Sequence, residues 1–364
     1  MPHPDRRRAF LATVLALCSS PTRTVAAEAA GRLASVRSDH VLQFPRDHGS
    51  HPDYRIEWWY ATGWLTDAQQ RECGFQITFF RARPELKTGN PSRFNPEHII
   101  IAHAAIADPR QGRLLHVQRA ARQGFGLAGA VQGDTHVWVD DWQLLRDGGT
   151  YRARITAPEL KLALTLTATQ PLVLQGISGY SSKGPRSESA SHYYSLPQLT
   201  VAGAVDTGAG ARQVTGTAWL DHEWSSSYLD PAAVGWDWIG INLEDGAALM
   251  AFRIRGRSGV TLWAGGSHRD HNGSVRVLNP GDVGFTPLRD WRSPRTGATY
   301  PVAFEIRAGS LQFRIEPLLD DQENDTRATT GAIYWEGAVR ARQEGLEIGR
   351  GYLELTGYHQ PLSL

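Results

Sequence analysis

The chain is 364 residues long, 41% hydrophobic and 21% charged, with a formal net charge of +1. That is a globular composition with room for two domains. A near-neutral balance without a basic, aromatic-interleaved run argues against a dedicated nucleic-acid binder, and 37 Gly with 20 Pro promise many turns.

The N-terminus reads as a leader rather than as fold. Asp5-Arg6-Arg7-Arg8-Ala9-Phe10-Leu11 is a charged segment, residues 11–17 are apolar, and Val25-Ala26-Ala27 offers small residues for cleavage. Arg7-Arg8-Ala9-Phe10-Leu11 fits the twin-arginine export pattern. A lipoprotein signal ending at Cys18 is the alternative, with Leu17 a poor fit before it. Cleavage near Ala27 would leave Cys73 as the one thiol of a periplasmic or secreted chain, with no internal disulfide. No later stretch is apolar and long enough to span a bilayer. The expected divisions are a signal peptide over 1–27, a lead-in over 28–52, a first β domain over 53–228 and a second over 229–364.

After the polar lead-in, residues 53–65 form an aromatic-rich strand pattern in which Glu57 sits among apolar neighbours. Residues 74–80 should pair with it as a hairpin. Residues 83–96 read as a loop and 98–106 as a strand, where His103 reads as a satisfied core histidine. Short strands over 135–139, 151–155 and 160–166 follow at regular spacing. Residues 176–192 break the rhythm as a long polar loop that includes Lys183.

The stretch Trp219-Leu220-Asp221-His222-Glu223-Trp224, closed by Gly235-Trp236-Asp237-Trp238, gathers indoles and ionisable groups more densely than the rest of the chain. Indoles belong in a core or a pocket wall, and ionisable groups resist burial unless paired or used. Read as a strand over 215–224, it places Trp219, Asp221 and Glu223 on one face and Leu220, His222 and Trp224 on the other. A polar pair pinning a strand crossing is the bland alternative. A second series of strands follows over 239–243, 247–254, 260–263, 300–306, 311–315, 333–337 and 349–355, with a hairpin turn at 271–274. No convincing amphipathic helix is present. The whole reads as all-β, two antiparallel barrels or sandwiches in tandem.

Familiar catalytic motifs fail. Gly124-Phe125-Gly126-Leu127-Ala128-Gly129 matches a dinucleotide fingerprint but precedes a strand, so it reads as a turn. His222-Glu223 lacks the second His of a zinc protease, and His268 with His271 lacks a third ligand. There is no P-loop and no nucleophile elbow. No metal and no cofactor are expected.

Glu57-Trp58-Trp59-Tyr60-x-Thr62-Gly63, Lys183-Gly184, Ser191-x-Tyr193-Tyr194-Ser195, Trp219-x-Asp221-His222-Glu223-Trp224 and Gly235-Trp236-Asp237-Trp238 occur in that order. Together they resemble the AttH-type/carotenoid 1,2-hydratase family over about residues 50–360. The resemblance implies two lipocalin-like barrels and, in members of known activity, addition of water to C=C bonds of hydrophobic molecules. It matches the hydratase His and Trp to His222 and Trp224. The Tyr and Asp of carotenoid hydratases on the next strand have no match in residues 247–253.

Hydration of an unactivated alkene needs a protonated acid, a surface for the carbocation and a held water. The expected acid is Asp237, Asp221 or Glu57, and His222 would position the water. Trp58, Trp224 and Trp236 would face the cation, with Trp238, Tyr194 and Lys183 completing the binding wall. The rival expectation is a binding protein for an isoprenoid or lipid-like ligand, without chemistry and functionally linked to a membrane transporter. Either way the side chains should converge on one hollow where the two halves meet.

Overall fold

The computed structural model describes residues 33–84 and 96–362; the expected leader and most of the 83–96 loop lie outside them. Among the described residues the regular structure is β-strand, with short 3-10 turns and no α-helix. The first sheet contains β1 (Ile56–Asp67), β2 (Glu72–Ala82), β3 (Ile99–Ala107), β4 (Leu114–Arg122), β5 (Ala128–Ala130), β6 (His136–Val139), β7 (Trp142–Asp147), β8 (Thr150–Thr156), β9 (Lys161–Thr167), β10 (Val173–Leu174), β11 (Tyr180–Ser182), β12 (Ala190–Asp206) and β13 (Arg212–Ser225). Its order is β4-β3-β2-β1-β13-β12-β9-β8-β7-β6-β5, with β10 and β11 on β12. The second contains β14 (Ala233–Leu243), β15 (Ala248–Gly256), β16 (Thr261–Arg269), β17 (Val275–Leu278), β18 (Val283–Arg292), β19 (Thr299–Ala308), β20 (Leu311–Pro317), β21 (Glu323–Thr326), β22 (Ala332–Gln343) and β23 (Leu346–Leu355). There the first strand, β14, pairs with the last, β23.

Twist curls each sheet until its ends face each other: β3 and β4 pack across to β5 and β6, and β15 and β16 to β18. The result is a tandem of lipocalin-like antiparallel barrels, each with its own apolar interior. A third apolar cluster lies outside both interiors. There Tyr60, Trp64, Tyr193 and Trp219 of the first sheet meet Trp238, Met250, Phe252 and Tyr352 of the second. The seam strands are therefore buried on both faces, which explains why their sequences are aromatic-rich on both. Gly74 lets the sheets close up, since a Cβ there would lie 2.6 Å from the Tyr352 hydroxyl. The Trp64 indole N–H donates across the seam to the Gly351 carbonyl at 3.1 Å.

The structure departs from the expected elements in several places. The 176–192 stretch is no continuous loop, because β11 pairs with β12 inside it. Residues 114–122 and 283–292, which carry many polar side chains, are strands β4 and β18. The second series starts at Ala233 rather than 239. Finally, the lead-in is packed: Asp47, His48 and Ser50 are buried, and a 3-10 turn at Arg46–His48 caps the first barrel. Carboxylate and imidazole partners inside the barrel compensate the polar groups this strap carries in.

Candidate functional site

Register builds two separate rows from β1, β12 and β13. Trp59, His222 and Tyr194 stand opposite one another, as do Glu57, Trp224 and His192; both rungs point into the first barrel. One residue along, Trp58, Glu223 and Tyr193 align, then Tyr60, Asp221 and Ser195, and both rungs point to the seam. The single hollow expected from the sequence is thus two compartments. Period-two alternation along β13 keeps His222 and Trp224 apart from Asp221 and Glu223.

In the barrel compartment Glu57, His222 and Tyr194 are spent on one another and on the strap, while Trp224 Nε1 and both ring nitrogens of His192 have no hydrogen-bond partner. Glu57 accepts from Arg81 Nε at 2.9 Å, from Ser50 Oγ at 3.0 Å, and from His51 Nδ1 at 2.7 Å. It also accepts from His222 Nε2 at 2.9 Å. Burial works against the Glu57 charge, but His51, Arg81 and His222 outweigh it and hold the carboxyl well below the usual range. Burial lowers the His222 pKa to about 4, so its ring is neutral at pH 7. Its one proton goes to Glu57, which fixes Nδ1 as the acceptor of the Tyr194 hydroxyl at 3.1 Å. Tyr194 in turn accepts from His48 Nδ1 at 2.8 Å. His51 stacks on Trp224 with ring centroids 3.7 Å apart. Metal-ligating atoms of His51, Glu57 and His222 lie within 4.8 Å of one another, yet the cation already serving Glu57 is Arg81. Glu57, His222, Trp224 and Tyr194 are therefore placed in this packed network, with no nitrogen of His222 left to hold a water.

The seam compartment is open. About 630 Å³ of atom-free space, part of it in contact with solvent, lies between the barrels. Ile56, Phe80 and Tyr228 also line an outer, solvent-open groove beside residues 226–233. The cavity wall is a rigid edge-to-face aromatic lattice: Trp58 on Tyr228 at 5.1 Å, Tyr228 on Trp236 at 5.7 Å, and Tyr60 on Trp238 at 5.4 Å. Four carboxyl groups line it, Asp221 and Glu223 from β13, Glu336 from β22 and Glu354 from β23. Lys183 sits behind Glu223 at 3.0 Å and over the Phe252 ring at 4.3 Å, so that pair is internally neutralised.

The other three acids have no cation partner there. Asp221 accepts from Tyr193 Oη at 2.7 Å, Ser195 Oγ at 2.5 Å and Trp219 Nε1 at 2.6 Å. Burial nevertheless pushes its pKa up to about 7. Glu336 and Glu354 face each other directly across β22 and β23. Burial raises Glu336 well above the usual value, and the charge of Glu354 adds to it. Burial likewise brings Glu354 to about 7, although Trp236 Nε1 donates to it at 2.9 Å. Two like charges opposed on adjacent strands repel, so the pair retains a proton at neutral pH.

That proton has a consequence for stability. A carboxyl with a raised folded-state pKa contributes fully below its unfolded pKa of 4.5, and the contribution is lost as pH rises through about 7. Glu354→Gln keeps an acceptor for Trp236 and carries no charge to desolvate. The variant should be more stable than the wild type at pH 8 by about 1–3 kcal/mol. Thermal melts at pH 4, 6 and 8 should show the gap closing at the acid end; a constant gap would refute the assignment.

Trp58, Trp236, Trp238 and Asp221 line this cavity. Asp237 does not, because it lies on the opposite face of β14. It is bound by Arg253 Nε at 2.5 Å, Arg255 Nε at 2.8 Å and the Tyr358 hydroxyl at 3.0 Å. Glu336 and Glu354 escaped the sequence reading. The available signal was an aromatic two residues before an acid in a strand, Tyr334-x-Glu336 and Tyr352-x-Glu354, as in Trp219-x-Asp221. His103 is satisfied as expected, but by the second half of the chain: Tyr334 Oη at 3.1 Å and Thr329 Oγ1 at 2.9 Å.

Comparison with known proteins places this geometry. A crystal structure of an AttH protein from Nitrosomonas europaea is 51% identical, with a TM-score of 0.84, covering 90% of this chain and 100% of that one. Kievitone hydratase from Nectria haematococca is 14% identical with a TM-score of 0.66, over 89% of this chain and 95% of that one. CghA bound to Sch210972 is 12% identical with a TM-score of 0.51, over 85% and 89% respectively. These last two share the fold. The comparison with curated proteins gives no match. The model of the AttH-like family matches residues 35–358, which cover both barrels and the strap, and the chain belongs to that family.

Proposed function

We propose that this chain binds a small hydrophobic molecule of isoprenoid or lipid type in the seam cavity and adds water across one of its C=C bonds. The observation that carries the reading is the set of carboxyl groups at Asp221, Glu336 and Glu354, unpaired with any cation in an aromatic-walled cavity. A carboxylic acid kept protonated near neutral pH can deliver a proton to an alkene carbon. The carbocation then faces the rings of Trp58, Trp236 and Trp238. Water adds its oxygen to the cation, and the surplus proton passes to the carboxylate that the first step left behind. Kievitone hydratase, a hydratase by name with this fold, supports the reaction class. The twin-arginine-type leader supports action in the periplasm or outside the cell.

Incubation of the purified protein with open-chain terpenoids such as lycopene or neurosporene should give a tertiary alcohol, one water heavier by mass spectrometry. Recovery of unchanged terpenoid from a protein that binds it would refute the hydration step. The second reading, binding without turnover and in the service of a membrane transporter, is favoured by one observation. The His222 imidazole, expected to hold the water, faces the other compartment.

A further inference from the structure

The seam cavity is lopsided in charge. Its described lining residues include four carboxyl groups and no Lys, Arg or His. Lys183, behind the wall, is committed to Glu223 and Ser181. Asp221 is fully supplied with donors. Glu336 is not. It is 2% exposed, it lines the cavity, and its Oε1 has no hydrogen-bond partner. Buried acceptors are normally paired, and an oxygen left open at the edge of a cavity marks a place for a further donor. Glu354, directly opposite, adds a second carboxyl to the same spot. The Tyr60 and Tyr334 hydroxyls stand beside Glu336 and the Trp236 indole N–H donates to Glu354, so the pair is met by the polar edges of aromatic side chains. A pair of carboxyl groups in an aromatic-walled cavity is an arrangement that can receive an ammonium group.

We propose that the seam cavity takes the cationic head of a hydrophobic amine between Glu336 and Glu354, with its apolar chain along Ile56, Phe80 and Tyr228, and that entry of the cation expels a proton. The inference rests on the cavity being the ligand site but not on hydration there. It also accounts for the same walls suiting a carbocation, since an ammonium carries the same charge in a similar volume. Because the empty pair holds a proton and the cation replaces it, affinity rises with pH. Linkage requires the release to appear in the binding heat.

The test uses the chain and three ten-carbon probes: decylammonium, 1-decanol and decanoate, each below its aggregation concentration. Tryptophan fluorescence gives affinities, and calorimetry at pH 6 and 8 in buffers of different ionisation enthalpy gives protons released. The ammonium should bind about tenfold more tightly than decanol at pH 8, and decanoate least. The preference should shrink at pH 6, where proton release should be larger. Glu336→Gln and Glu354→Gln should each cut the preference to about threefold or less. Equal or tighter binding of decanol overturns the inference, as does buffer-independent heat, or a preference that survives in both Gln variants. Binding of decanol alone leaves the cavity as a ligand site and removes only the cation. Failure of all three probes removes the ligand site itself.

Discussion

Replacing Arg81 by Leu should lower the unfolding free energy by about 3–5 kcal/mol at pH 7, the cost of breaking a buried ion pair from one side. Arg81 and Glu57 are 1% and 0% exposed in a contact of 2.9 Å. Leu would leave the Glu57 carboxylate in the barrel with its guanidinium gone. Arg81 does more than neutralise. Its Nη1 donates to the Tyr54 carbonyl at 3.0 Å and its Nη2 to the His51 carbonyl at 2.8 Å. It therefore clamps the strap that carries His48, Ser50 and His51 into the barrel. Urea denaturation should show the loss, and hydrogen exchange should show residues 47–54 opening first. Adding Glu57→Gln to Arg81→Leu should return part of the stability, because the stranded charge is gone. A loss below about 1 kcal/mol in the single variant would mean that the strap, not the ion pair, carries the polar network.

The strands were legible where one period dominated. Residues 151–155 and 160–166 alternate cleanly because one face of β8 and β9 is solvated, and their burial alternates along the chain. The seam strands were legible for another reason, their density of indoles. The site was half legible. Alternation correctly separates Asp221 from His222, yet the expectation of one hollow ignored it, since a spacing of one residue in sequence is a full change of compartment in a strand. Glu57 and Asp237 illustrate what sequence leaves open. Both are acids among aromatics, and both are consumed by arginines, Arg81 in one case and Arg253 with Arg255 in the other. Those partners are 16 to 24 residues away and reach the acids only through strand pairing. Glu336 and Glu354 meet through a similar pairing, so their repulsion is a property of register, invisible before the sheet is drawn.

If the proposed hydration occurs, Glu336→Gln should reduce kcat by about 10²–10⁴-fold, the usual contribution of a positioned general acid. Gln fills the same volume and keeps a hydrogen-bonding head, so the fold and ligand affinity for a neutral terpenoid should change little. Asp221→Asn should have a smaller effect, since three donors already hold Asp221 and leave it little freedom to reach a substrate. The rate should fall as pH rises above about 7, because the reactive form is the protonated one and Glu354, which shares the proton with Glu336, titrates near there. His222→Ala separates this site from the barrel compartment. It should cost stability, by leaving Glu57 short of a donor, while activity per folded molecule stays within about threefold of wild type. The opposite pattern, full activity in Glu336→Gln and none in a folded His222→Ala, would move the chemistry into the first barrel. The strap would then have to open to admit substrate, and Arg81→Leu, by loosening it, would raise activity rather than leave it unchanged.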